Sequence, residues 1–535
     1  MSRLSAARSS RADEERSARG TLLVADRVVT LGRGRTAAKA VLVRGKKVVW
    51  VGDDPGEAPP HAERVELAGC TVGPGFVDSH VHLTPTGLGL LGLDLSGVRS
   101  GRELLEAVRA RAATHPGRVV WGRGWDDHGF PDALPGPDEL AEAAPGHAVY
   151  LSRVDGHSCL VDRETLTAAP LARADGVERD ASGSPTAVLK RDAHHVVRRW
   201  TLGSMSQEEL DAARETAASR AAAVGLTSVH EMGGPNVVGA EDFDAWLDSR
   251  WPVEVRAYWG DTDLAFVAER NLRQVGGDLS LDGSLGSRTA ALSEPYDDHD
   301  GSGYLYYDDE ELLAFFREAT HAGIQVAVHA IGDAAIRQAV RLWRRIDSEA
   351  PEYLEGSVGR LRHRLEHAEL LPTELLDDVA DLGLVCSVQP AFDAVWGGPG
   401  GMYETRLGPA RAAMMNPFRA LADRGVALAF GSDSDVTPMA PWAGVVAAEQ
   451  RAPEHQLSRL EAVSATCLGG RYAARQDGYT GVVRAGMRAD LAVWEGDPFS
   501  ADDPTAARCV LTVVKGRVTH GTAAGLPSWD ATPRP

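Results

Sequence analysis

Between residues 206 and 433 the chain repeats one pattern: an amphipathic stretch opens on a capping residue and stops at a glycine, and a short run, apolar at nearly every position, follows. The first stretch has Ser206 and Glu209 in capping-box spacing and ends at Gly225, before LTSVHEM. The second opens in the acidic segment Asp308 to Glu311, ends at Gly323 and leads into IQVAVHA. The third runs from Thr373 to Gly383 and into LVCSVQP; the fourth takes Pro417 as its first helical residue, Gly425 as its C-cap and VALAFGSD as its strand. Such continuous apolar runs predict strands covered on both faces, as in parallel sheets. Each ends in a polar residue: His230, His329, Gln389 and Asp433. The predicted fold class is α/β, a (β/α)8 TIM-like barrel whose strand ends gather on one face. A doubly wound open sheet would also gather strand ends, but there is no glycine-rich dinucleotide fingerprint.

The two ends of the chain have a different texture. TLLVADRVVTL and AVLVRGKKVVWVG, the latter broken by a turn at Arg44-Gly45-Lys46, read as strands, as do ADLAVWEG and CVLTVVKGRVTHG near the C-terminus. Neither end has enough strands for a stable sheet, so they are expected to pair into one small β-sandwich; two separate flaps would leave more edges exposed. The expected organisation is a disordered tail over 1–20, the β-sandwich over 21–70 and 479–525, the barrel over 71–478 and a tail over 526–535. An insertion at about 85–205, near the active-site mouth, interrupts the barrel. It contains GRELLEAVRARAATHP, helical by pattern, and a Trp-rich loop, WGRGWDDHGF.

Composition narrows the function. A length of 535 residues requires more than one structural unit, and 43% hydrophobic with 25% charged residues is ordinary for a soluble enzyme. With 56 Lys and Arg against 76 Asp and Glu, the net charge of −20 argues against a nucleic-acid partner. Five cysteines without CxxC spacing suit a reducing, cytoplasmic setting. The first twenty residues lack the apolar core of a secretion signal, and no apolar run is long enough to cross a bilayer. A barrel exterior would allow a homodimer.

The candidate chemistry begins at GPGFVDSHVHL. Side chains alternate along a strand, so His80 and His82 point to the same side, where their imidazoles can share a cation; among 17 histidines, a chance pair two apart is an equally good reading. His329 in VAVHAIGDAA and His367 in RHRLEHAEL lie at strand ends, whereas His230 and His363 read better as hydrogen-bonded core histidines. Asp433 follows an apolar strand and Gly431; a carboxylate buried there needs a partner, while Asp435 reads as exposed or as a cap.

In this order GPGFVDSHVH, DGSLGSRTA, HAIGDAA, RLEHAEL and FGSDSDV resemble the amidohydrolase superfamily. Within it they are similar to the YtcJ-like branch (amidohydrolase family 3), which includes N-substituted formamide deformylases. The likeness covers roughly residues 20 to 525. It implies metal ligation by His80, His82, His329 and His367, with Asp433 as both ligand and proton shuttle. It also implies that RVDGHSCLV, with His157, and the loop from Asp282 to Thr289 border the substrate. For Ser284, Ser287 and Arg288 in that loop a structural turn is an equal reading, and Trp125 is either an aromatic wall or core. Where many relatives carry a carboxylated lysine bridging two metals, this chain has Asp278, whose shorter side chain leaves bridging open; Glu231 is a second supplementary carboxylate.

The implied activity is hydrolysis of a non-peptide C–N bond, amide or formamide-like, in a small molecule. It would use metal-activated hydroxide, with His157 or His230 at the oxyanion. The cofactor is one or two divalent ions, zinc fitting the mixed shell best, although imidazole also accepts iron, manganese or nickel. The alternatives are a lactonase or esterase, a deaminase, or a non-catalytic binding module; the complete set of histidines and aspartate argues against the last.

Overall fold

The computed structural model describes residues 20–32, 36–115, 117–248, 250–351 and 356–529. Residues 1–19 of the first expected tail and 530–535 of the second lie outside the described residues. The N-terminal segment forms β1 (Thr21–Val29), β2 (Ala37–Arg44), β3 (Lys47–Gly52) and β4 (Glu63–Pro74), and β5 (Phe76–Val81) follows. Next come β6 (Leu93–Asp94), β7 (Val119–Trp125), β8 (Ala148–Arg153), β9 (Ser158–Val161), β10 (Val177–Arg179) and β11 (Pro185–Lys190). The central part supplies β12 (Leu226–Gly233), β13 (Glu254–Trp259), β14 (Gln274–Ser280), β15 (Gln325–Ala330), β16 (Arg364–His367), β17 (Val385–Val388) and β18 (Ala427–Phe430). The chain closes with β19 (Leu491–Glu495), β20 (Cys509–Val514) and β21 (Arg517–His520).

The class is α/β. The two chain ends meet in one seven-stranded sheet, ordered β21-β20-β19-β4-β1-β2-β3, because β19 pairs antiparallel with β4. The central strands form two parallel sheets, β13-β12-β5 and β14-β15-β16-β17-β18. Every residue of β5, β12, β15, β16 and β17 is buried, as their unbroken apolar runs require. The free edge of β5 is tied to the segment after β18: the His82 N–H donates to the Ser434 carbonyl at 2.7 Å, and the Asp433 N–H to the His80 carbonyl at 2.8 Å. Among the described residues no ladder joins β13 to β14.

Capping fixes the helices between these strands. The Ser206 hydroxyl accepts the Glu209 N–H and the Glu209 carboxylate returns to the Ser206 N–H, which starts the helix Gln207–Ala223. Asp308 caps Asp309–His321 in the second unit. The third opens as one 3-10 turn before Leu376–Asp381, and the fourth is Phe418–Asp423.

The inserted strands form a mixed six-stranded sheet, β10-β11-β9-β8-β7-β6. The Trp-rich stretch expected as a loop is half strand: Trp121 and Trp125 lie in β7, where burial of their rings outweighs the neighbouring glycines. Trp121 stacks on Tyr150 with centroids 4.4 Å apart.

The terminal sheet is joined to the central strands by an aromatic contact at their base. Trp494 of β19, 1% exposed, packs 5.2 Å from Phe76 and 5.5 Å from Trp442, ring to ring. Gly225 passes beneath it with φ 79°; a Cβ there would meet the indole at 2.5 Å. Trp494→Ala is expected to destabilise the chain by about 3–5 kcal/mol in urea unfolding, with Trp494→Phe recovering most of it. A loss below about 1 kcal/mol would mean that this ring does not hold the sheet in place.

Candidate metal centre and cavity

Six side chains from the ends of five strands converge. His80 comes from the fully buried β5, and His82 from the residue that starts the helix Leu83–Leu91. His329 lies in β15, His367 ends β16 and Asp433 follows β18. Asp278, from β14, stands among them. Its carboxylate lies 3.1 Å from His82 Nε2, 3.4 Å from His80 Nε2, 3.6 Å from His329 Nδ1 and 3.9 Å from His367 Nε2. Asp433 Oδ1 lies 3.3 Å from His82 Nε2 and 3.5 Å from His80 Nε2.

The opposite ring nitrogens are all committed. His80 Nδ1–H donates to Glu366 Oε2 at 2.9 Å, His82 Nδ1–H to the Met232 carbonyl at 2.9 Å and His367 Nδ1–H to Gln389 Oε1 at 2.9 Å. His329 Nε2–H donates to the Gly283 carbonyl at 3.2 Å. With the outer nitrogens protonated, the inner ones present lone pairs to the shared space. His80 Nε2, His367 Nε2, Asp278 Oδ1 and Asp433 Oδ1 are buried without a hydrogen-bond partner. Orphaned acceptors facing one another are unfavourable unless a cation lies between them, so the donor set fits a divalent metal. Two groups have ligand atoms close enough to hold one: His80, His82 and Asp433; and His80, Asp278 and His367.

Electrostatics agree. Burial alone would lower the pKa of His80, but the charges of Asp433 and Asp278 and the hydrogen bond to Glu366 outweigh it and raise it to about 10. His82 is raised well above its usual value against the same burial, chiefly by Asp278. Burial pushes the Asp278 and Asp433 carboxyls up, yet the facing imidazoles hold both below the usual carboxylate range. The cluster attracts positive charge.

Asp278 reaches the centre because its strand bends. Gly276 and Gly277 have φ of 86° and 82°, and the pairing of β14 with β15 shifts register between Gly276 and Ser280. A Cβ on Gly276 would lie 1.8 Å from the Ala327 carbonyl oxygen. The bulge carries a short side chain inward. His367 and Asp433 are themselves left-handed, with φ of 69° and 50°, conformations kept only where surrounding bonds fix them.

Several of those bonds come from residues that sequence reasoning missed. Asp78 accepts the Ser432 N–H at 2.9 Å and its hydroxyl at 2.5 Å, pinning the loop that bears Asp433. Arg364, fully buried, donates to Glu366, Ser387 Oγ and the Ser79 carbonyl, and so holds the carboxylate behind His80. The signal was present: two opposite charges at alternate positions of RLEH, an otherwise buried strand, must be paired.

Above the cluster is a cavity of about 270 Å3, lined in part by His82, Asp278, His329, His367 and Asp433. His157 and Ser284, expected at the substrate, also line it. Four other expected substrate residues do not, because their groups are engaged elsewhere. Asp282 accepts the N–H groups of Ala291, Ile331 and Gly332, clipping the loop whose Gly283 carbonyl orients His329. Arg288 is paired with Asp298 at 2.6 Å. Trp125 donates to the Leu151 carbonyl within the inserted core, and His230 Nδ1 accepts from Arg364 at 2.9 Å below the cluster. Glu231 accepts the Leu83 N–H at 2.7 Å and lies outside both candidate ligand groups.

The family model described as "Amidohydrolase family" matches residues 63–520. The putative amidohydrolase YtcJ of Bacillus subtilis (strain 168) is 31% identical over 507 residues, covering 86% of this chain and 90% of that one. N-substituted formamide deformylase of Arthrobacter pascens is 25% identical, covering 90% of this chain and 94% of that one. Among solved structures, an uncharacterized metal-dependent hydrolase from Pyrococcus furiosus superposes with a TM-score of 0.70 at 25% identity, over 90% of this chain and 100% of that one. Motifs, donor set and matches agree, and the chain belongs to the amidohydrolase family.

Proposed function

We propose that this chain is a divalent-metal-dependent hydrolase that cleaves a non-peptide C–N bond, amide or formamide-like, in a small molecule. The observation that carries this reading is the set of buried imidazole lone pairs facing two carboxylates, each imidazole fixed from behind. His80, His82, His329, His367 and Asp433 would hold one or two cations, and Asp278, within reach of all four imidazoles, would be a further carboxylate ligand. Zinc suits this mixed nitrogen and oxygen shell. The match to N-substituted formamide deformylase makes formamides the first substrates to test.

The architecture supporting this reading is a (β/α)8 barrel over 71–478, interrupted at about 85–205, with a β-sandwich from 21–70 and 479–525. Closure of the barrel is supported by the bonds between β5 and the segment after β18 and by Gln274, whose side-chain amide donates to the Ala257 carbonyl across the β13–β14 seam at 2.8 Å. For the sandwich, Val41 and Val48 from one end of the terminal sheet share a core with Leu511 and Val518 from the other, as a curled sheet requires. All five cysteines are free, in keeping with a reducing, cytoplasmic setting.

When bound, a divalent cation acidifies water and polarises the scissile carbonyl. Asp433, an acceptor in its ionised form, takes the proton of the attacking water on its carboxylate and returns it to the departing nitrogen. His157 lines the cavity with its ring 5.5 Å from that of His329; burial lowers its pKa to about 4 and keeps it neutral. Its N–H donates to the carbonyl oxygen as negative charge develops there. His230, held by Arg364 beneath the cluster, has no part in this step.

Chelation should abolish formamide or amide hydrolysis, and added zinc should restore it; activity unaffected by exhaustive chelation would refute metal dependence. His80→Ala should lose metal, read by mass spectrometry of the dialysed protein, and Asp278→Ala should lower the metal content per chain. Full metal retention in either variant would remove that residue from the ligand set. Asp433→Asn is expected to keep most of its metal while losing ~10²–10⁴ in kcat. Hydrolysis of lactones but of no amide would replace the proposed bond with an ester.

A further inference from the structure

The turn between β8 and β9 brings a carboxylate of the insertion, Asp155, against a loop of the central strands. Its side chain is 5% exposed, with Arg153 Nη1 at 3.2 Å; Arg153 is also paired with Asp126 and Asp127. Burial pushes the Asp155 carboxyl up, but the Arg153 charge outweighs it and keeps the group an ionised acceptor. Its acceptor capacity is spent on two different parts of the chain. Oδ2 accepts the Ser287 hydroxyl at 2.7 Å and the Ser284 hydroxyl at 3.1 Å, both from the loop after β14. Oδ1 accepts the backbone N–H of His157 at 3.3 Å. The approach is close: a Cβ on Gly286 would lie 2.7 Å from Asp155 Oδ2.

Holding the insertion down does not by itself call for a charge. Val154 beside it and Val436 already pack against the core that contains Leu285. A carboxylate in the same place has to be desolvated, and what it adds over apolar packing is direction and distance. The groups it joins are those on either side of the proposed reaction. In the loop, the Ser284 hydroxyl accepts the Ser287 N–H at 3.2 Å and Thr289 Oγ1 accepts the Ser284 N–H at 3.0 Å, so the segment moves as one piece. That piece begins at Gly283, whose carbonyl orients His329. On the other side is His157, its ring 5.5 Å from that of His329.

We infer that Asp155 is a positioning residue: by holding Ser284, Ser287 and the His157 backbone on one carboxylate, it fixes the His157 imidazole relative to His329 and the reacting carbonyl. This rests on the function proposed above and adds a member to its machinery. RVDGHSCLV and DGSLGSRTA, far apart in the chain, thereby act as a single unit.

The test is a double-mutant cycle read by calorimetry on the zinc-loaded protein. The probe is methylphosphonate, a tetrahedral anion that stands in for the hydrated carbonyl. His157→Gln and Asp155→Ala should each weaken its binding about 10-fold, the size of a hydrogen bond to a charged group. In the double variant the two losses should not multiply: it should bind within about threefold of His157→Gln alone. Asp155→Asn, whose amide oxygen still accepts the serine hydroxyls, should recover part of the loss. Zinc per chain, read by mass spectrometry, should be unchanged in every Asp155 variant. Should Asp155→Ala fail to fold, Ser287→Ala breaks the shortest of these bonds from the other side, and its loss should likewise vanish in the His157→Gln background. Losses that multiply, an Asp155→Ala or Ser287→Ala protein that binds as the unmodified one does, a fall in zinc content, or no binding by the unmodified protein would each overturn the assignment. Turnover is read separately: coupled losses in binding, with no amide hydrolysed, would uphold the positioning and reject the proposed reaction.

Discussion

Two carboxylates and four imidazoles share a space from which most hydrogen-bond donors are absent, and this constraint shapes the rest of the molecule. Because the outer nitrogens of the imidazoles face a carboxylate, two backbone carbonyls and an amide oxygen, those nitrogens must carry the protons. The inner nitrogens then have lone pairs only. Asp278 and Asp433 add negative charge at 3.1 to 3.9 Å from them. The arrangement is satisfied by positive charge at its centre, whether a bound cation or protons; the upward shifts of His80 and His82 express the same demand.

Such a cluster tolerates little displacement, and the surrounding bonds read as devices against it. Arg364 is fully buried in β16, which is unfavourable unless its charge is paired; it ties β16 to β5, to β17 and to Glu366. Asp78, burial pushing its carboxyl up to about 6, clamps the loop after β18 to β5. The left-handed residues His367 and Asp433 store backbone strain that these bonds offset. The DGSLGSRTA segment does its work indirectly, Asp282 fixing the loop and Gly283 aiming His329. Tight packing at Gly276 serves the same end, since a side chain there would push β14 away from β15 and withdraw Asp278.

The parts of this arrangement legible in the sequence were those written as local pattern. Capping residues and closing glycines delimited the four helix–strand units, and unbroken apolar runs marked strands covered on both faces. Alternation placed His80 and His82 on one side. The reach of Asp278 was not legible, because it depends on a bulge at Gly276 and Gly277 that no local pattern specifies. Trp125 and Arg288 looked equally suited to wall or scaffold, and the choice rested on partners that no local pattern names, Leu151 for one and Asp298 for the other. Arg198 gave no signal at all, since an arginine on an amphipathic helix is ordinary until its partners prove to be a backbone carbonyl and an imidazole.

Floor and walls of the cavity come from different parts of the chain, and this separates what family resemblance can say from what it cannot. The floor is built at the ends of parallel strands, where positions are fixed by sheet geometry and shared hydrogen bonds. The walls come from the inserted segment, which brings His157, His195 and Arg198, and from the helix after β17, which brings Phe392 and Trp396. Loops and insertions can change without disturbing the floor, so one reaction centre accepts different substrates as its walls are exchanged. Identity of 25–31% to relatives therefore speaks to the shared centre more than to the molecule acted upon. The substrate has to be read from the wall, where, among the described residues, one arginine stands with several carboxylates beside an aromatic row.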